Sequence, residues 1–212
     1  MINQGGETLP IYSKTMKIET IEIAGCAGAL TALRLPFGKE CRSSVTHMRG
    51  WYPMSIYDKE TGDKIEDNTG LSIETYIVPN EQDMQLMTTL VKRRDEHAKV
   101  VRGINVWAKI TAPVYWWAEE ETYRAGHERL ASESTMHIDC RGLSGKELQE
   151  AKAAIPMGKE LTKVDMFSYQ TLRRIVAQRY NHRLPEWHTF IDWVRTLPFA
   201  EELILVGLET EK

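Results

Sequence analysis

PVYWWAEEETYRAGHERLASESTMH, residues 113–137, packs aromatics, carboxylates, guanidinium groups, imidazoles and hydroxyls into one short run. Pro113 ahead of Tyr115, Trp116 and Trp117 has the form of a buried helix's first turn, where proline's missing N–H costs nothing. That helix is expected to go on through Glu119, Glu120, Glu121, Arg124, His127 and Arg129. Its winding puts Trp117, Glu121 and Arg124 on one face and Glu119 with Tyr123 on another. An exposed Glu121–Arg124 pair contributes only a few tenths of a kcal/mol, but Trp117 on the same face argues for partial burial. The run closes in Ser132, Ser134, Thr135 and His137, so a polar site set against a core is expected here.

Downstream, TLRRIVAQRYNHR at 171–183 belongs to a long helix expected over about Val164 to His182. With Leu172 as reference, Ile175, Val176, Arg179 and Arg183 fall within about 60° of it, while Arg173 and Arg174 point elsewhere. Arg179 therefore lies on the apolar stripe. A guanidinium there needs a partner, either a carboxylate of this chain or the phosphate of a ligand. Pro185 starts a further helix through about Arg195, and Pro198 a short last one.

Upstream, Lys17–Ala24 and Leu71–Val78 read as strands, and DKETGD at 58–63 as a hairpin turn between strands at Ser55–Tyr57 and Lys64–Ile65. Ala27–Leu35 reads as a short helix, and Asn80 caps a helix reaching Leu90 or Val91. Residues 98–110 fit a helical stripe and a strand equally well. Residues 1–16 read as an extended arm, and a short helix is expected near Lys146–Ala154. The sum is an α+β protein: a small mixed or antiparallel sheet with packed helices. A strand-rich portion, 1–78, precedes a helical portion, 79–212, within one compact domain.

The 212 residues suffice to bury about 70% of the unfolded surface. A net charge of −3 argues against a general nucleic-acid binder, though a few arginines still make a local anion pocket. Cys26, Cys41 and Cys140 form no CxxC pair, which fits reduced thiols in a cytoplasmic protein. No signal peptide or membrane span is read. His127, Ser132 and Asp139 lack a nucleophile elbow, and His137, Asp139 and Cys140 lack a second ligand pair, so neither a triad nor a metal site is expected. The tryptophans are expected in the core, with one or two free to line a ring-binding pocket.

Taken together, RDEHAK at 94–99, YRAGHERLASESTMH at 123–137 and TLRRIVAQRYNHRLPEW at 171–187 resemble the flavin-dependent thymidylate synthases, in a divergent, phage-like form. The family's hallmark is RHRxxSxNExSxRY. If Arg124 takes the place of its first Arg, Ala125 and Gly126 replace the His-Arg that follows, and Ser134 matches the second Ser. Met136 and His137 then stand where the family has Arg-Tyr, and another register puts Glu133 on the hallmark Glu. Arg179 falls on the family's nucleotide-binding Arg.

The resemblance implies an α/β homotetramer with FAD at subunit interfaces. It implies methylation of dUMP with methylenetetrahydrofolate, hydride from the reduced flavin, and NADPH as the flavin's reductant. On this chain it implies His97, Lys99, Arg124 and His127 for the flavin. Arg179, Arg129, Glu133, Ser134 and Thr135 are then expected to bind nucleotide, and Glu121 to orient the base. Two other readings stand beside it. One is a non-catalytic homologue that binds nucleotide or serves structurally. The other is a different enzyme in which His127, His137 and the glutamates do acid–base work.

Overall fold

The computed structural model describes residues 16–39, 44–57, 64–93 and 96–208, and for 44–57 and 64–78 the backbone alone. The expected arm (save Met16) and the turn at 58–63 lie outside the described residues.

After β1 (Lys17–Ala24) and α1 (Cys26–Leu33), a long antiparallel pair, β2 (Ser44–Tyr57) and β3 (Lys64–Val78), forms a separate two-stranded sheet. It contains the strands read at Ser55–Tyr57 and Leu71–Val78. α2 (Glu81–Lys92) starts where expected: the Asn80 side chain accepts from the Asp83 N–H at 2.8 Å. The ambiguous stretch divides into a helical turn at Ala98–Arg102 and a strand, β4 (Asn105–Pro113). Strand geometry wins from residue 105 because Val106, Ala108, Ile110 and Ala112 alternate and are fully buried.

The segment after Pro113 departs from the expected helix. α3 (Val114–Glu120) ends at Glu120, and a turn leads into β5 (His127–Ser132). Arg124 therefore lies in the turn, while His127 and Arg129 lie on a strand. Trp117, Glu121 and Arg124 do not share a helix face. Pro113 itself is the residue before the first helical position, with extended backbone. The expected 164–182 helix is corrected likewise: β6 (Glu160–Ser168) comes first, and α6 (Tyr169–Arg179) begins after Ser168, whose side chain accepts from the Thr171 N–H at 3.2 Å. Short α4 (Thr135–Ile138) and α5 (Gly145–Ala153) connect β5 to β6. α7 (Pro185–Arg195) and a last turn at Glu201–Leu205 close the chain.

The main sheet is antiparallel throughout, in the order β1-β4-β6-β5. β1 is one of its edges, so the N-terminal portion completes the sheet of the helical portion. One face is covered by α3, α6 and α7, through contacts of Trp116 with Trp187 and Phe190 and of Phe167 with Phe190 and Trp193. Trp116, Trp117, Trp187 and Trp193 are all buried, as read from the sequence. The expected α+β fold with a small antiparallel sheet and packed helices is the one observed.

Candidate functional site

The covered face of the sheet changes character from strand to strand. On β4 its in-facing residues are apolar. On β6 they are Lys163, Asp165 and Phe167, and opposite them on β5 stand Arg129, paired in register with Asp165, and His127, paired with Phe167. α3 crosses above and delivers Trp117 and Glu120. The result is a buried polar strip along one edge of an otherwise apolar layer.

Arg129 is its hub. Its Nε and Nη2 meet the two Asp165 oxygens at 3.0 and 3.1 Å, Nη2 meets Glu120 Oε2 at 2.8 Å, and Nη1 meets Glu121 Oε1 at 2.6 Å. Glu121, expected to orient the base, with a surface pair to Arg124 as the alternative, pairs with Arg129 and with Lys163 at 3.0 Å. The Lys163 ammonium and the Arg129 guanidinium also lie 4.4 and 5.1 Å from the Trp117 ring centre. His127 stacks on Phe167 at 4.7 Å between two buried carboxylates. Its Nδ1 faces Tyr123 O at 3.0 Å and Glu120 Oε1 at 3.3 Å, and its Nε2 lies 3.2 Å from Asp165 Oδ2.

Burial raises the Glu120 carboxyl to about 7, although His127 and Arg129 pull against it. Burial also works against charge on His127, but Asp165 and Glu120 beside it prevail and raise its pKa. Asp165 moves the other way: burial pushes it up, and contact with His127 and Arg129 more than offsets that, leaving it below the usual carboxylate range. Glu121, half exposed, is held low by Lys163 and Arg129 against a desolvation that raises it.

A second cluster gathers around Arg179. Its Nη1 is 3.1 Å from Glu119 Oε2 and its Nε donates to the Tyr123 hydroxyl at 2.8 Å. The guanidinium sits 4.8 Å from the Trp187 ring centre and 5.6 Å from that of Tyr123. Glu119 Oε2 also accepts from Trp187 Nε1 at 3.0 Å and lies 3.4 Å from His182. Arg179 thus holds the inward position read from the helix stripe, with a side chain 19% exposed. Glu119 is its carboxylate partner within the chain.

The remaining predicted residues divide between the two ends of β5. At its start, the Ala125–Gly126 turn is pinned to the beginning of α6: Ser168 N–H donates to Gly126 O at 2.8 Å and Thr171 Oγ1 to Ala125 O at 2.6 Å. Gly126 has φ 76°, and a Cβ there would stand 2.6 Å from Ser168 Oγ and Thr171 Oγ1. Tyr169 N–H donates to Ile104 O at 2.9 Å, so the segment with exposed His97 and Lys99 reaches this end of the sheet too, as does exposed Arg124. At the far end, the Glu133 N–H and carboxylate pair with the Thr162 backbone, Ser134 precedes α4, and Thr135 Oγ1 accepts from Lys152. Five rises of about 3.3 Å along β5 put the ends roughly 17 Å apart. Arg124, ahead of β5, therefore does not meet Glu133, Ser134 and Thr135 beyond its far end within one chain.

Sequence reading missed Glu120, Asp165 and Lys163. The signal was period-two spacing, His127-x-Arg129 and Lys163-x-Asp165-x-Phe167, with polar residues facing inward. It missed Arg173 as well, which is buried and donates to Ile204 O and Val206 O at 2.7 and 2.6 Å. A surface hollow of about 260 Å³ between α6 and α7, lined by Tyr180, Asn181, His188, Ile191, Asp192 and Arg195, contains none of the predicted site residues. Among the described residues no helix is long and apolar enough to cross a membrane.

No protein-family model and no curated protein matches the chain. Solved structures do. Thymidylate synthase ThyX from Helicobacter pylori, with FAD and dUMP, aligns at 10% identity and TM-score 0.58, covering 92% of this chain and 99% of that one. A second complex of that flavin-dependent enzyme with FAD and dUMP gives 9% and 0.58, covering 91% and 98%. The UMP/dUMP methylase PolB from Streptomyces cacaoi, bound with 5-Br dUMP, gives 11% and 0.55, covering 92% and 94%. At such identities the likeness is one of fold.

Proposed function

We propose that this chain binds dUMP, or a closely related pyrimidine deoxynucleotide, and methylates it with the help of a bound flavin. The observation that carries the proposal is Arg179. It sits in a cradle of Tyr123 and Trp187 on a fold whose likeness to dUMP-bound enzymes runs over more than nine-tenths of the chain. In this reading a nucleotide phosphate takes Glu119's place on the guanidinium, a planar fork suited to either oxyanion. Arg129, Glu133, Ser134 and Thr135 serve the nucleotide as well. Glu121, kept ionised by Lys163 and Arg129, accepts from the N–H edge of the base.

The residues assigned to the flavin fit an anionic group. His97, Lys99 and Arg124 are exposed, and no described residue pairs with them. His127 lies under Arg129 and acts by positioning rather than by contact. A bound FAD would supply the hydride, with NADPH as its reductant and methylenetetrahydrofolate as the carbon donor. The roughly 17 Å between the two ends of β5 favours a site completed by two chains, as a homotetramer provides. Catalysis then rests on placing the ring and stabilising its charge, with no protein nucleophile.

The Ala125–Gly126 turn favours a second reading, nucleotide binding without methyl transfer. Its two positions are taken up by packing against α6, and Gly126 has no room for a cationic side chain.

Flavin uptake and dUMP calorimetry test the proposal. Added FAD should bind and colour the protein, and Arg179→Ala should weaken dUMP binding by about 1.5–3 kcal/mol. Unchanged dUMP affinity would reduce Arg179 to the ion-pair partner of Glu119.

A further inference from the structure

The polar strip holds one arrangement that nucleotide binding does not use. Three potential ligand atoms, one each from Glu120, His127 and Asp165, lie within 4.8 Å of one another. Glu120 and Asp165 are 0% exposed, and the His127 side chain is 6% exposed. Glu120 Oε1 and His127 Nε2 are both buried without a hydrogen bond. Each has an ion-pair contact, Glu120 Oε1 with His127 Nδ1 at 3.3 Å and His127 Nε2 with Asp165 Oδ2 at 3.2 Å, but is short of a hydrogen bond.

The imidazole is set up as a ligand. Its Nδ1 faces the Tyr123 carbonyl at 3.0 Å, so the proton of the neutral ring sits on Nδ1 and an ion that displaces the second proton meets the lone pair on Nε2. Nε2 lies 3.2 Å from Asp165 Oδ2, an approach that needs positive charge nearby, part of which Arg129 Nη2 supplies at 3.1 Å from the same oxygen. A proton on Nε2 is the competitor for this position, and a metal ion would have to displace it. A separation of 3.2 Å suits two atoms each about 2.1 Å from one ion. Arg129 donates to Glu120 Oε2 and Asp165 Oδ1 and, at 3.1 Å, to Asp165 Oδ2 as well, an outer shell that would share Asp165 with the ion. Once an ion has displaced the protons of Glu120 and His127, the carboxylates Glu120, Glu121 and Asp165 exceed Arg129 and Lys163 by one negative charge.

We propose that Glu120, His127 and Asp165 bind one divalent first-row cation of the zinc type, tying the end of α3 to β5 and β6. The donor set, one imidazole nitrogen and two carboxylate oxygens, is the kind zinc and cobalt accept. The ion holds Arg129 and Glu121 in place from below, whether or not the chain methylates dUMP. The sequence hid the site because its ligands come from three elements and no two of them stand at a metal-binding spacing.

The test uses tag-free full-length protein, freed of metal with a chelator and then titrated with Co²⁺ or Zn²⁺. The expected result is saturation at one ion per chain with visible cobalt bands. X-ray absorption of the Zn²⁺-loaded wild type should show nitrogen and oxygen neighbours, one imidazole and no sulfur. Glu120→Gln, with unchanged circular dichroism, should bind at least about tenfold more weakly. No saturable binding by folded wild type would mean that a proton alone occupies the cluster, and the proposal fails. Sulfur in the zinc shell, from Cys26 or Cys140, overturns it too, as does undiminished binding by folded Glu120→Gln. Because the absorption spectrum needs no variant, the test survives a Glu120→Gln that does not fold. dUMP binding plays no part in these readouts.

Discussion

Gly126 fixes the turn that leads into β5. Gly126 combines left-handed backbone with contacts that leave no space for a Cβ, and its carbonyl receives the first N–H of the Ser168 cap. Gly126→Ala should therefore cost roughly 1–3 kcal/mol, read as a lower urea midpoint. A loss of a few tenths would mean that the turn is not pinned as described. Arg179 was legible in the sequence, because an arginine on a helix's apolar stripe stands out by angle alone. Arg173 was not. It points away from that stripe and is buried only because the turn at Glu201–Leu205 returns to cover it, a long-range event that no local period records.

At the scale of elements, helices with caps and proline starts were readable from residue chemistry. Asn80 and α2 are the clearest case: Asn80→Ala should cost about 1 kcal/mol in thermal or urea unfolding. No loss would show the cap bond to be idle. β5 and β6 were misread as helix for one physical reason. Strand alternation normally reads apolar-in, and here the inward positions hold His127, Arg129, Lys163 and Asp165. Only tertiary pairing of opposite charges makes that pattern stable, and the partners are 36 residues apart in the Arg129–Asp165 bond. The polar cluster around residues 113–137 is built across α3, β5 and β6 rather than along one helix.

For the molecule as a whole, the fold class followed from composition and element order, whereas the separation of the site residues required the sheet's topology. β5 is an edge strand, and Leu130 on it and Met136 and Ile138 on α4 just after it are 59%, 43% and 56% exposed. Apolar surface beside an open strand edge suits association with another copy, and assembly there would bring the opposite ends of β5 from different chains together. Sedimentation should give a mass well above that of one chain, and Leu130→Glu should lower it. A wild-type monomer at micromolar concentration would remove the two-chain site. The most direct test of the central proposal is mass spectrometry of dUMP incubated with the protein, FAD, NADPH and methylenetetrahydrofolate. Formation of dTMP that requires all of these components and is lost in Arg179→Ala is the result expected. A folded protein, saturated with flavin and dUMP, that forms no dTMP would contradict methylation and leave nucleotide binding alone.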